Sequence, residues 1–406
     1  MVLPVEPPPA PSALLVAQRS PATTYGGVDL RCRTTVAGLH AARLGITLFC
    51  PDPADRTTPP PPGCGLRLGP PAAQPVPALG WLAAPDGLPA DRWWHEGVLA
   101  ELASVVAELR PSVAVLEHLV MQRALPVLRA AGVPTVLSAH NVEGRLHDDM
   151  AAARGDALPP GLSARVAERT RAVEGTVVAQ VDAVWACSER DAALLRETYA
   201  GCAPVTVVPN AVDVPEVPAG DEGRDLDEVL YAGALGYPPN VAAAEVLLEA
   251  LPALRAAAPA LHLTVLGSGP PPALRARAAA TPGALLTGTV PDAAPYLARA
   301  GVLAVPLQVG SGTRFKVLEA FAAGLPVVST PKGVEGLDVV DGEHVLLADS
   351  ARELVEAVLR LRADAGLREA LRAQAHALVG ERYSTSAVAP LVAASVAEVL
   401  ERRARA

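Results

Sequence analysis

The stretch Val305-Pro-Leu-Gln-Val-Gly-Ser-Gly-Thr-Arg-Phe-Lys-Val-Leu-Glu-Ala-Phe-Ala-Ala-Gly-Leu-Pro-Val-Val-Ser-Thr330 constrains this chain more than any other. The apolar run from Gly301 to Leu307 suits a strand buried on both faces of a parallel sheet. Gly310-Ser311-Gly312 breaks the pattern, and the spacing predicts a helix from about Thr313 to Ala323. Gly324 stands where a left-handed C-terminal cap belongs, and Pro326 prevents continuation. Pro326 to Thr330 is the next strand. Strand, glycine loop, helix and strand in so short a span make a βαβ unit.

The turn carries the chemistry. A glycine loop feeding a helix start offers backbone N–H groups and the positive end of a dipole to an anion. Arg314 and Lys316 add two cations within the first turn, where cations are unfavourable, so the pattern points to a ligand of more than one negative charge, such as a diphosphate. Glu319, one to two turns on, is placed to accept hydrogen bonds from paired ribose hydroxyls. A solvated helix start with incidental charges is the plain alternative.

The segment resembles the nucleotide-sugar signature of retaining glycosyltransferases of the GT-B fold, in particular family 4, the group 1 glycosyl transferases. Glu319 matches the second Glu of that family's Glu-x7-Glu pair. The first falls at position 311, where this chain has Ser311. Gly-Ser-Gly-Thr-Arg-x-Lys-x-x-Glu is similar to a subset that carries this variation. The resemblance implies an α/β chain of two doubly wound Rossmann-like domains facing across a cleft, with a C-terminal helix crossing back to the first domain.

Length agrees with that plan. At 406 residues the chain exceeds one ordinary core, and two domains of roughly 200 residues are the natural expectation. Half the residues are apolar but only 3% are aromatic, so the cores are Ala, Val and Leu. The 41 Pro, with abundant Ala and Arg, fit a GC-rich bacterial genome. A net charge of −9 and the lack of any long basic run disfavour nucleic acid as a partner. No apolar run reaches the ~18 residues of a membrane span. The N-terminal residues lack the make-up of a signal peptide and read as a disordered leader over 1–12. Five irregularly spaced cysteines fit reduced thiols in a cytoplasm.

In chain order, the first domain is expected over 13–213. Ala13 to Ala17 is a strand, and Gly26-Gly27 leads to a helix from Asp29 to Arg43, capped by Gly45. The glycine pair is either a tight turn or, as the resemblance implies, a loop with Gly27 facing donor phosphates and acceptor. Residues 51 to 90 are Pro-rich and read as a long irregular excursion. Trp93-Trp94 then serve either as core anchors or as an acceptor surface. His118 and His140 both follow predicted strands, where open α/β sheets bind ligands, although a satisfied loop histidine explains either. His140-Asn141-Val142-Glu143 resembles the family's His-Asn-x-Glu step, with the His near the donor sugar. Asn141 and His118 are the acceptor-side candidates. Pro209-Asn-Ala-Val-Asp213 resembles the segment closing the family's first domain.

Acid- and Pro-rich residues 214–227 read as a linker, including Asp225-Leu-Asp227, taken as solvated charge and not a metal site. A second βα domain runs over 228–384 and a final helix over 385–406. No cation lies between Tyr231 and Arg255, which throws the diphosphate charge onto Arg314 and Lys316. Leu285 to Val290 resembles the loop that reads the nucleobase.

The resemblance implies a retaining hexosyltransferase. It would move a sugar from a nucleoside-diphosphate sugar, with UDP expected and GDP or dTDP open, to a hydroxyl of a glycan or secondary-metabolite acceptor. Arg314, Lys316 and His140 would be catalytic. Gly27, Val290, Ser311, Gly312, Thr313 and Glu319 would bind donor. No metal and no cofactor are implied, and a homodimer is possible in such a family. A catalytically silent partner protein of the same fold and a sugar-nucleotide epimerase are the alternatives.

Overall fold

The computed structural model describes residues 11–21, 26–51, 57–72, 80–84, 86–152, 160–216, 220–310 and 314–405. The expected leader lies almost wholly outside them.

Among the described residues two parallel sheets form. The first holds β1 (Ser12–Val16), β2 (Gly45–Cys50), β3 (Cys64–Leu68), β4 (Val113–Glu117), β5 (Thr135–Ser138), β6 (Ala183–Ala186) and β7 (Val205–Val207), in the order β3-β2-β1-β4-β5-β6-β7. The second holds β8 (Asp225–Ala232), β9 (His262–Leu266), β10 (Ala284–Gly288), β11 (Ala300–Val305), β12 (Val327–Ser329) and β13 (Leu346–Leu347), in the order β10-β9-β8-β11-β12-β13. Every ladder is parallel. Each order reverses once, between β1 and β4 and between β8 and β11, and such switch points are where doubly wound sheets bind ligands. This is the GT-B fold expected from the sequence.

Alternation explains why short runs of Ala, Val and Leu make these strands. Leu14 and Val16 enter one core, Ala13 and Leu15 the opposite one, and all four are buried. Both faces are covered by helices, so neither can be polar.

Several local expectations change. The Pro-rich excursion contains β3, which pairs with β2 along its full length. A five-residue strand flanked by prolines gives no periodic signal of its own. The helix after Gly26 spans Gly27–Ala41, and Arg43 rather than Gly45 takes the left-handed conformation, at φ 58°. The N–H of Leu44 reaches back to the Leu39 carbonyl in a Schellman-type closure. Gly45 opens β2 instead. Asp225 and Asp227 belong to β8, not to the linker, with Asp227 paired to Arg362.

The chain crosses between domains at two adjacent points. Val212 pairs with Ser384, and the Thr385 hydroxyl donates to Asp213 at 2.8 Å. The last helix, Thr385–Arg405, then lies on the helix Gly27–Ala41. It sends Val388, Val392, Val396 and Val399 into the first domain's core, and its Ser395 accepts the indole N–H of buried Trp185 at 2.9 Å.

Candidate active site

A cleft of about 330 Å³ opens where both switch points face each other. The second domain supplies most of its wall. Gly267, just after β9, lies so close to the turn after β8 that a Cβ there would be 1.9 Å from the Gly233 carbonyl oxygen. Only glycine lets these two loops meet, and the floor of the cleft is therefore backbone.

The helix Phe315–Ala322 points its start into this space, and it has no side-chain N-cap. Its apolar face, Phe315, Val317, Leu318 and Phe321, is buried in the domain core, which fixes Lys316 and Glu319 on the cleft side. Lys316 sits 4.3 Å above the ring centroid of Tyr231. It donates to the Tyr231 hydroxyl and to Asn240 Oδ1, both at 3.1 Å. These partners are neutral, and no carboxylate among the described residues lies within ion-pair distance of it. Burial, reinforced by the neighbouring Arg314 charge, depresses the Lys316 ammonium to about 7. Burial also lowers Arg314, whose guanidinium folds over Gly310. Glu319 is pushed up to about 7 by burial, against the pull of Lys316. Cations at a helix start, kept from water and without a carboxylate for Lys316, form a site whose cost is recovered when a polyanion enters.

The first domain contributes Gly26, Gly27 and Leu30. A Cβ on Gly27 would be 3.1 Å from the Phe315 ring, so the two domains nearly touch here. Beside this point, two histidine–carboxylate pairs follow β4 and β5. His140 donates from Nε2 to buried Glu117 at 2.8 Å, and burial lowers the imidazole despite that carboxylate. His118 approaches Glu143 at 3.0 Å through Nε2, while its Nδ1 accepts the Val120 N–H at 3.3 Å. That pattern defines the Nε2–H tautomer of His118. The rings meet edge to face at 4.9 Å. Burial opposes ionisation of Glu143, but His118 and Asn141 together hold it down to about 2. Glu174, raised to about 7 by burial, accepts the N–H groups of Glu143 and Gly144 at 2.8 Å each, and so caps the helix Glu143–Ala152 from a distance.

His118 has φ 79° and ψ 151°, a region kept almost entirely to glycine, at a strain on the order of 1–3 kcal/mol. The other described non-glycine residues of positive φ, Arg43 and Arg110, stand just after helix ends.

The structure thus gathers Gly27, Val290, Arg314, Lys316 and Glu319 around one cavity. Ser311, Gly312 and Thr313 lie outside the described residues. His118, His140 and Asn141 stand together on the first domain but do not line that cavity, because Glu117 and Glu143 draw their side chains to themselves. Sequence reasoning missed Tyr231, Tyr237, Asn240, Glu117 and Glu174. Tyr231 had a signal: an aromatic in an aromatic-poor chain, one residue from the end of a strand that turns into the cleft. Glu174 had none, being far in sequence from what it caps. Of the tryptophan pair, Trp94 is the anchor, stacked on Phe49 at 6.5 Å with its indole N–H on the Val120 carbonyl. Trp93 is only partly buried.

Comparisons with known proteins agree with this geometry. The family described as "Glycosyl transferase 4-like domain" matches residues 26–211, and that described as "Glycosyl transferases group 1" matches 227–364. No curated protein matches the chain in sequence. Among solved structures, sucrose-phosphate synthase from Thermosynechococcus elongatus superposes with TM-score 0.74 at 19% identity, covering 97% of this chain and 98% of that one. HepE of Anabaena in complex with UDP-glucose gives 0.67 at 15%, covering 96% and 99%. WaaG, a glycosyltransferase involved in lipopolysaccharide biosynthesis, gives 0.67 at 16%, covering 95% and 99%.

Proposed function

The chain belongs to the group 1 glycosyltransferases, and from that premise we propose that it moves a sugar from a UDP-sugar to an acceptor hydroxyl with retention of configuration. The observation that carries the donor half is buried Lys316, lodged with Arg314 at the start of the helix Phe315–Ala322 and bonded only to neutral groups. Such a pair is built for a diphosphate. Glu319, on the same face of that helix, suits the ribose hydroxyls. Thr289 and Val290, after β10, line the same cleft, which supports their meeting the base. UDP is favoured over other nucleotides because HepE was solved with UDP and with UDP-glucose on the same fold.

As the bond between the anomeric carbon and the diphosphate oxygen lengthens, its electron pair stays with the diphosphate. Arg314 and Lys316 stabilise that growing charge, which is worth most where water is excluded. The acceptor oxygen bonds to the anomeric carbon on the same face, and its proton leaves with the departing diphosphate. Retention rests on the resemblance of the 310–319 segment to retaining enzymes. His140, fixed by Glu117, is proposed to lie beside the sugar once the domains close.

The test is calorimetry of the purified protein against UDP, GDP, dTDP and ADP, repeated with Arg314→Ala. Selective UDP binding, weakened at least tenfold in the variant, is expected, since one charge-assisted phosphate contact is worth about 1.5–3 kcal/mol. Failure of every nucleotide at millimolar concentration would overturn the reading.

A further inference from the structure

A second cavity, of about 290 Å³, lies on the first domain's side of the cleft. Its walls are mostly apolar: Leu88, Pro89, Ala90, Trp93 and Val120. Its polar lining is the His118–Glu143 pair with Thr170, His147 and Arg92. His118 follows β4 at the switch point and Glu143 opens the helix after β5, so this pair faces the donor cleft. The Glu143 charge reaches Tyr237 on the opposite wall, where it adds to burial in raising the phenol against the pull of Arg314.

Two features set this cavity apart from an accidental gap. The strained His118 caps the start of the short 3-10 helix Leu119–Ala124 through its side chain, a task that needs no positive φ. Its backbone holds the imidazole where both nitrogens are used, Nδ1 by Val120 and Nε2 by Glu143. The pair is thereby fixed and not free to rotate. Glu143, in turn, uses Oε1 for both His118 and Asn141, and none of the described residues donates to Oε2. An ionised carboxylate oxygen on a cavity wall, without a donor, is an acceptor waiting for a hydroxyl.

We propose that this cavity is the acceptor subsite and that it takes a small ring with an apolar face and a hydroxyl, an aromatic or alicyclic alcohol, in preference to a polyhydroxylated sugar. The apolar walls would leave most hydroxyls of a sugar ring without partners, whereas a single hydroxyl is met by Glu143 Oε2. Trp93, with the Arg92 guanidinium 5.5 Å from its ring centroid, forms the side wall against the flat of the ring. The assignment rests on the transferase reading above.

Saturation-transfer NMR on the full chain, with saturating UDP, tests it using 4-methylphenol, myo-inositol and methyl glucoside as probes. 4-Methylphenol is expected to bind, with at least tenfold weaker binding in Trp93→Ala. His118→Gly, which frees Glu143 to turn, is expected to weaken 4-methylphenol at least tenfold while leaving UDP affinity unchanged. A His118→Gly protein that binds the phenol normally would overturn the role of His118 and, with it, the subsite. Preferential binding of inositol or the glucoside would overturn the ligand class. UDP binding without any phenol binding would reject the subsite and leave the donor site standing, whereas loss of both would reject the transferase reading itself.

Discussion

Lys316 shows how one side chain is tuned by what surrounds it. In an unfolded chain it titrates near 10.5; folded, burial and Arg314 bring it to about 7. Folding stability therefore rises with pH from about 7 to 10.5, where only the unfolded lysine holds its proton, and falls as pH climbs from 4.5 to about 7, where Glu319 is protonated only when folded. At about pH 8.5 free Lys316 is mostly neutral and Glu319 already ionised, so a diphosphate entering the cleft must draw a proton onto the lysine. Calorimetric enthalpies of UDP binding should then differ between buffers of unequal ionisation enthalpy, and the difference should vanish in Lys316→Met. Buffer-independent heats would show that the lysine is charged before the ligand arrives. The cations were legible in the sequence as charges at the wrong end of a helix. Their protonation was not, because it depends on burial, which elements distant in sequence supply.

At the level of elements, close packing of two helices holds the first domain's edge. Gly38 on the helix Gly27–Ala41 faces Val392 on the helix Thr385–Arg405, and a Cβ on Gly38 would lie 2.2 Å from the valine Cβ. Gly38→Ala should cost about 1–3 kcal/mol through overpacking. Scanning calorimetry should show the first domain melting lower, with recovery in the Gly38→Ala, Val392→Ala double variant. An unchanged transition would mean that the helices part at no cost. The same helix begins at Gly27 in the cleft, so its seating reaches the site. Both helices were expected from the sequence, the first after the Gly26-Gly27 loop and the last from the family resemblance, but a mid-helix glycine carried no indication of its partner over three hundred residues away.

The whole molecule is two sheets joined at adjacent crossings, Val212–Asp213 and Ser384–Thr385. Across the cleft, beyond the approach of Gly27 and Leu30 to the second domain, the described contacts include two ion pairs and one weak hydrogen bond. Arg190 meets Glu335 at 3.0 Å, Lys332 meets Asp149 at 3.7 Å, and the Tyr237 hydroxyl lies 3.9 Å from Met150 Sδ. Arg190 is largely exposed, and pairs of this kind contribute about 0–1 kcal/mol and weaken in salt. In molar salt, where the Debye length is about 3 Å, small-angle scattering should report a larger radius of gyration, reversed by saturating UDP. A radius indifferent to both salt and nucleotide would mean that these pairs do not govern the domain angle.

Local order came from the sequence alone. Apolar runs of the right length, a glycine loop, Gly324 in the left-handed conformation at φ 67° and the following proline dictate the βαβ unit around Arg314, Lys316 and Glu319 wherever it sits. Such signals are carried by neighbours along the chain. Only the tertiary structure decided that β3 pairs with β2, that Glu174 caps a helix thirty residues upstream, that His140 turns toward Glu117, and that His118 bears strain beside an apolar cavity. Those outcomes depend on which elements meet, and the meeting is fixed by burial summed over the whole chain rather than by any one stretch of it.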